Sequence, residues 1–186
     1  MSQILLNDLI ARRWSPRAFL NKRVEPEKLR SLFEAARWAA SSFNEQPWRF
    51  IVATKDHPTE FDRVLGTLVP KNQDWAKSAW VLGISAAKKT FTHSGAPNRF
   101  GIHDAGAALA NIMLQAVAVD LHVHGMAGFD AEKARAEFAI PAEFDVGAAF
   151  AIGYVEAGTQ PPPTRSRRPL DETVFGTKFG EALKWG

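Results

Sequence analysis

The spacing of apolar and polar positions divides the chain into helical and extended segments before any chemistry is considered. Residues 3 to 12 carry Ile4, Leu5, Leu6, Leu9 and Ile10 with Asn7, Asp8 and Arg12 between them, an amphipathic pattern that predicts a short first helix. A second helix opens at Glu25-Pro26-Glu27, where proline's missing N–H costs nothing and carboxylates suit the helix dipole. Leu29, Leu32, Phe33, Ala36, Ala39 and Ala40 then recur at helical spacing, and Pro47 forbids continuation. Residues 48 to 53 are aromatic and β-branched and read as a largely buried strand. Helical spacing returns over residues 56 to 68 and briefly over 72 to 77, and residues 79 to 87 read as the next strand. Residues 103 to 121 form the longest predicted helix. Ala105, Gly106, Ala107, Ala108, Ala110 and Ala116 make it thin-walled and it is apolar nearly all round, which predicts a subunit interface. Residues 122 to 130 run from a strand-like start into a turn, 131 to 138 are helical, and 145 to 155 read as a third core strand. Strands separated by helices predict a mixed helix-and-sheet layering.

The segments between these elements hold the candidate chemistry. Pro16 fixes an extended or turn backbone that presents Arg13, Ser15 and Arg17 on one side of a loop, although a solvated basic turn has the same composition. Between the second helix and the first strand lie Ser41, Ser42, Asn44 and Gln46, four side chains that both donate and accept hydrogen bonds. They match the mixed edge of a heteroaromatic ring, and they equally suit a helix stop followed by a turn. Residues 90 to 102 have no period and many breakers. A loop of that length carrying Phe91 and Phe100 predicts a lid that, with Phe43 and Trp75, lines the substrate side of a site. Gly125 and Gly128 let backbone approach a ligand closely.

Composition narrows the classes. At 186 residues, without an internal repeat or an evident linker, the chain is expected to be a single domain spanning residues 1 to 186, with a C-terminal arm from about residue 156. The absence of Cys excludes disulfides, thiolate nucleophiles and iron–sulfur clusters and suits a reducing cytoplasmic compartment. No stretch approaches membrane-spanning length, and the N-terminus lacks the pattern of a signal peptide, so neither export nor membrane insertion is expected. A net charge of +3 without a known binding module argues against nucleic acid, despite Arg165, Arg167 and Arg168. His122 and His124 share a strand face, but no third ligand stands nearby in sequence, so no metal is expected. Asp104 beside His103 is explained by helix capping or solvation. Glycine-rich nucleotide loops, a nucleophile elbow and a zinc-protease helix are absent from the sequence, and no catalytic side chain is expected. Such a chain fits an enzyme whose cofactor carries the chemistry.

Five ordered blocks then give a resemblance. They are Arg13-Trp14-Ser15-Pro16-Arg17-Ala18-Phe19, Ala40-Ser41-Ser42-Phe43-Asn44-Glu45-Gln46-Pro47-Trp48, Asp104-x-Gly106-x-Ala108-x-x-Asn111, Gly125-Met126-Ala127-Gly128-Phe129 and Arg165-Ser166-Arg167. In order and spacing they resemble the FMN-dependent nitroreductase family over nearly the whole chain. The resemblance implies an α+β fold with a mixed central sheet flanked by helices, built as an intertwined homodimer with FMN in clefts at the interface. It places Arg13, Trp14, Ser15 and Arg17, with Arg165 and Arg167 from the arm, at the FMN phosphate and ring edge. Ser41, Ser42, Asn44 and Gln46 would come from the partner subunit, Asn72 would contact the ring, and the backbone at Met126, Ala127 and Gly128 would lie against flavin N5. The departures are Ala40 for the usual proline, Trp14 for a basic residue and Ala127 for an acidic one. The implied activity is ping-pong hydride transfer from NAD(P)H through the flavin to a flat electron-poor acceptor such as a nitroaromatic or quinone. A flavin storage or sensing protein without turnover would use the same binding residues.

Overall fold

The computed structural model describes residues 5 to 159 and 166 to 185. In chain order its elements are α1 (Asp8–Arg12), α2 (Pro26–Arg37), β1 (Trp48–Thr54), α3 (Pro58–Thr67), α4 (Pro70–Ala76), β2 (Val81–Lys88), α5 (Gly101–Ala118), β3 (His122–Met126), α6 (Ala131–Glu137) and β4 (Phe144–Gly153). The strands form one sheet in the order β1-β2-β4-β3. β2 is buried along nearly its whole length and lies between β1 and β4, as a continuous apolar run requires. One face of the sheet packs on α2 and α5 through Leu32, Ala36, Ile112, Ala116, Phe150 and Ile152. The other packs on α3, α4 and α6 through Phe61, Val64, Ala76, Leu82, Ile84 and Ala134. The fold is therefore three layers of the α+β class.

All three described ladders are antiparallel. The parallel component of the expected mixed sheet is not among the described residues, because every neighbouring pair here runs in opposite directions. The β2–β4 ladder shifts register between Ile84 and Ala86, and Ser85 repairs the gap. Its hydroxyl accepts from the Ala148 N–H at 2.9 Å and donates to the Ala148 carbonyl at 3.1 Å. One side chain thus satisfies two backbone groups that a bulge would otherwise leave unpaired.

Element boundaries moved where a polar side chain took a backbone group. Asn7 Oδ1 accepts from the Leu9 N–H at 3.0 Å, so α1 starts at Asp8 and leaves Leu5 and Leu6 outside it and exposed. Asn98 Oδ1 accepts from the Phe100 N–H at 3.1 Å, and α5 begins two residues before the expected start. Gly101 fits there because a Cβ would lie 2.7 Å from the Lys88 carbonyl oxygen. α5 buries Ala105, Ala108, Leu109, Ile112 and Ala116, while Ile102, Gly106 and Ala110 on its other side are exposed. His122 to Met126 proves a full strand, entered through Asp120 at φ 62°. Residues 166 to 185 include no buried residue, and Phe175 packs there on Phe179 with ring centroids 4.8 Å apart.

Gly83 lies in the middle of β2, where an added Cβ would fall 2.6 Å from the Ile51 carbonyl oxygen and against the Phe150 ring. Both neighbours belong to the packed sheet and cannot retreat. Gly83→Ala is expected to lower unfolding free energy by about 1–3 kcal/mol in chemical denaturation, the usual cost of overpacking a core.

Candidate functional site

The loop after α1 is fixed by its alternate residues. Pro16 is buried, and its carbonyl accepts from His124 Nδ1 at 2.7 Å. A carbonyl only accepts, so that imidazole nitrogen carries the proton. Trp14 sits edge-on to His122 with centroids 5.8 Å apart. Both histidines belong to β3, and burial holds each below the ordinary imidazole pKa, with the nearby cations Arg12 and Arg17 acting in the same direction on His122 and His124 respectively. The residues between them point outward. Arg13 Nη1 reaches Ser15 Oγ at 3.5 Å, and Ser15 and Arg17 are exposed. The result is a short cationic shelf with one hydroxyl, laid across the edge strand of the sheet.

Asn72 on α4 faces the turn that follows β3. Its Nδ2 donates to the Gly128 carbonyl at 2.9 Å, and its Oδ1 accepts from Trp75 Nε1 at 3.3 Å. Trp75 in turn packs on His124 with centroids 4.5 Å apart. Gly128 is fitted closely to this group, since a Cβ there would lie 2.5 Å from Asn72 Nδ2 and 3.1 Å from Val69 Cγ2. Ala127 beside it is exposed and Met126 is buried. Arg13 to Arg17, Asn72, Trp75 and the 126–128 turn are thus gathered along β3. Trp75 was expected on the substrate side with Phe43. Within the chain its indole lies beside Asn72, three residues earlier on α4, and over His124.

Ser41 to Gln46 are elsewhere. They include a 3-10 turn, Ser42–Asn44, and Phe43 and Asn44 within it and Gln46 beyond it have φ of 52°, 54° and 51°. Three non-glycine residues in the left-handed region within four positions store strain that the surroundings must enforce. The buried carboxylate of Asp104, in the first turn of α5, accepts from the Ser42 N–H at 2.9 Å and contacts His103 Nδ1 at 3.0 Å. Asp104 was read as capping or solvation. It is buried, and it holds the serine turn. Ser41 Oγ accepts from the Gln46 N–H at 3.0 Å and closes the loop. Glu45 ties it to residues 90 to 97. Its carboxylate accepts from the Thr92 N–H at 2.9 Å and from the Thr92 hydroxyl at 2.5 Å, and these bonds hold its pKa below the ordinary carboxylate value. Thr92 Oγ1 also accepts from Lys88 Nζ at 2.8 Å. Above this clasp Phe43, Phe91 and His93 form a three-ring cluster with centroids 5.4 to 5.7 Å apart. Phe100 lies apart from it, packed on His103 with Arg99 over its ring.

The two groups do not meet within one chain. Trp14 shares a cleft of about 350 Å³ with Val117 near the end of α5, and Ser42 binds Asp104 at its start. Thirteen residues of helix at 1.5 Å each separate these points by about 20 Å. Another cleft, of about 590 Å³, follows the exposed side of α5 past Ile102 and Gly106, and no expected cofactor residue lines it. Arg165 lies outside the described residues. Arg167 is exposed and donates to the Ser166 carbonyl at 2.9 Å. Among the described residues no group of three metal-ligating side chains is found, and no helix is long and apolar enough to cross a membrane. Asp104 and Glu45 lie inside the quoted blocks and His124 beside one, while Thr92 lies only in the 90–102 loop.

The model of the nitroreductase family matches residues 10–154. A crystal structure of an FMN-containing oxidoreductase superposes with a TM-score of 0.87 at 34% identity, covering 96% of this chain and 95% of that one. A protein from Desulfovibrio desulfuricans, described as a nitroreductase in complex with FMN, superposes with a TM-score of 0.73 at 28% identity, covering 94% and 99%. The major NAD(P)H-flavin oxidoreductase of Aliivibrio fischeri is 43% identical over 56 residues, which is 30% of this chain and 26% of that protein.

The Glu45 clasp has a direct test. Glu45→Gln removes the charge and sets an amide N–H against one of the two Thr92 donors. Amide exchange over residues 90 to 96 is expected to rise about 3- to 10-fold, a discounted charge-assisted loss at a partly exposed pair. Exchange within β2 should stay unchanged.

Proposed function

Because the chain belongs to the nitroreductase family, we propose that it is an FMN-dependent oxidoreductase that takes reducing equivalents from NAD(P)H and passes them to a flat, electron-poor acceptor. The observation that carries this reading is the convergence of loop 13–17, Asn72 and the 127–128 turn on the edge strand β3. The residues fit the group. Exposed arginine and serine on the loop match a phosphate, and arginine's planar fork stays charged at any working pH. Asn72 keeps one donor and one acceptor site spare for a ring edge after its two internal bonds. The close fit of Gly128 against Asn72 brings backbone, rather than a side chain, to the place where flavin N5 is proposed to lie.

Bound FMN supplies the redox chemistry, accepting a hydride from NAD(P)H and reducing the acceptor in a second, separate half-reaction. The protein's part is binding and orientation. Arg13, Ser15 and Arg17 hold the phosphate, joined in this proposal by Arg165 and Arg167 of a C-terminal arm that begins near residue 156. Trp14 packs against β3 behind them. In their own chain Ser42 is held at the start of α5 while Trp14 of the phosphate loop lies near its end, so in this proposal Ser41, Ser42, Asn44 and Gln46 serve the site of a second copy. The reading is therefore a homodimer whose sites are each completed by the partner's serine turn. Phe43, Phe91 and Phe100 then belong to the acceptor side, with Phe43 and Phe91 already in contact.

Purified protein should be yellow. NADH or NADPH should bleach it anaerobically, and a quinone should restore the colour. Persistent colour with both nucleotides is the result expected of a storage or sensing protein, and it sinks the enzyme reading. The phosphate assignment is tested by titrating apoprotein with FMN and riboflavin. Arg17→Ala is expected to weaken FMN by about 10- to 150-fold, one charge-assisted bond, while riboflavin changes little. Equal loss for both flavins removes Arg17 from the phosphate.

A further inference from the structure

The orientation of the Asn72 side chain is determined by groups that leave no choice. A carboxamide turned by 180° exchanges its nitrogen and oxygen with almost no change of shape, so only its partners decide which way it lies. Here Oδ1 faces the Trp75 indole N–H at 3.3 Å, a group that only donates. Nδ2 faces the Gly128 carbonyl at 2.9 Å, a group that only accepts. The reversed amide would set N–H against N–H and oxygen against oxygen. The Gly128 carbonyl is itself fixed, since it also accepts from the Val69 N–H at 3.1 Å.

The indole is held as firmly. Trp75 packs on His124 with centroids 4.5 Å apart and on Phe19 at 6.3 Å with the rings 26° from parallel. His124 is anchored to the Pro16 carbonyl at 2.7 Å, and Phe19 is buried with its N–H on Ser78 Oγ at 3.3 Å. A continuous path of contacts runs from Pro16 through His124, Trp75 and Asn72 to Gly128. It joins the cationic loop to the glycine turn.

We propose that Trp75 is a positioning residue for the flavin ring, acting through Asn72: its indole N–H, together with the Gly128 carbonyl, holds the amide in one orientation, which leaves one N–H and one lone pair in a fixed order toward the ligand. The edge of an isoalloxazine presents carbonyl, N–H and carbonyl in succession, so an amide of fixed order pairs with two adjacent positions of that edge. An amide held from the Gly128 side alone keeps that order but loses the restraint on its oxygen, and pairs less firmly. This inference rests on the flavin reading above.

The test is a double-mutant cycle on flavin binding to apoprotein, with wild type, Trp75→Phe, Asn72→Ala and the double variant titrated with FMN and with riboflavin. Trp75→Phe keeps an aromatic ring against His124 and Phe19 and removes the donor. It is expected to weaken both flavins equally, by about 5- to 10-fold, the loss of one neutral hydrogen bond. In the Asn72→Ala background it should add no further loss, because the group it positions is gone. A readout without flavin accompanies the cycle. The indole N–H resonance that disappears in Trp75→Phe should shift in Asn72→Ala. Additive losses, loss confined to FMN, or an indole signal indifferent to Asn72→Ala would overturn the proposal and leave the flavin reading standing. Failure of wild type to take up either flavin overturns both.

Discussion

Every group assigned to the cofactor in one chain depends on β3 being the outer strand of the sheet. An edge strand offers one side to its neighbour and leaves the other open for loops and ligands. Among the described residues β3 pairs with β4 on one side only, through His122↔Gly153 to Met126↔Ala149. The loop of Pro16, the indole of Trp75 and the turn of Gly128 all collect along it. Burial of β2 on both faces enforces this placement, since the apolar run of Val81, Leu82 and Ile84 claims the centre and sends a strand with two histidines outward.

The second group depends on two carboxylates. Asp104 is buried at the start of a long helix, where the dipole favours negative charge, and there it captures the Ser42 N–H. Glu45 captures both donors of Thr92. Together they hold a loop whose backbone would not hold itself, given three residues at positive φ. Neither carboxylate is proposed to take part in the redox chemistry. They shape the surface that a partner chain would receive.

The layered fold was readable wherever periodicity was strong. Leu32 and Ala36 announce α2, and Val81 to Ile84 announce the central strand. What could not be read was any pairing across the chain: the antiparallel register of the sheet, Asn72 on Gly128, 56 residues away, or Ser42 on Asp104, 62 residues away. Proline and arginine made loop 13–17 visible, because proline restricts backbone locally and alternate residues then diverge. The imidazole beneath Trp75 is likewise not revealed by its sequence neighbours. Local chemistry is legible in a sequence, and the partners that give it direction are not.

The left-handed turn at Phe43 and Asn44 bears on how such a surface can diversify. A glycine would sit at either position with less backbone strain, by about 1 kcal/mol per residue. Phe43 is 81% exposed, so its contacts with Phe91 and His93 offset only part of that cost. Glycine in its place would relax the turn and remove the ring from Phe91 and His93. At this position backbone ease and the aromatic cluster thus ask for different residues.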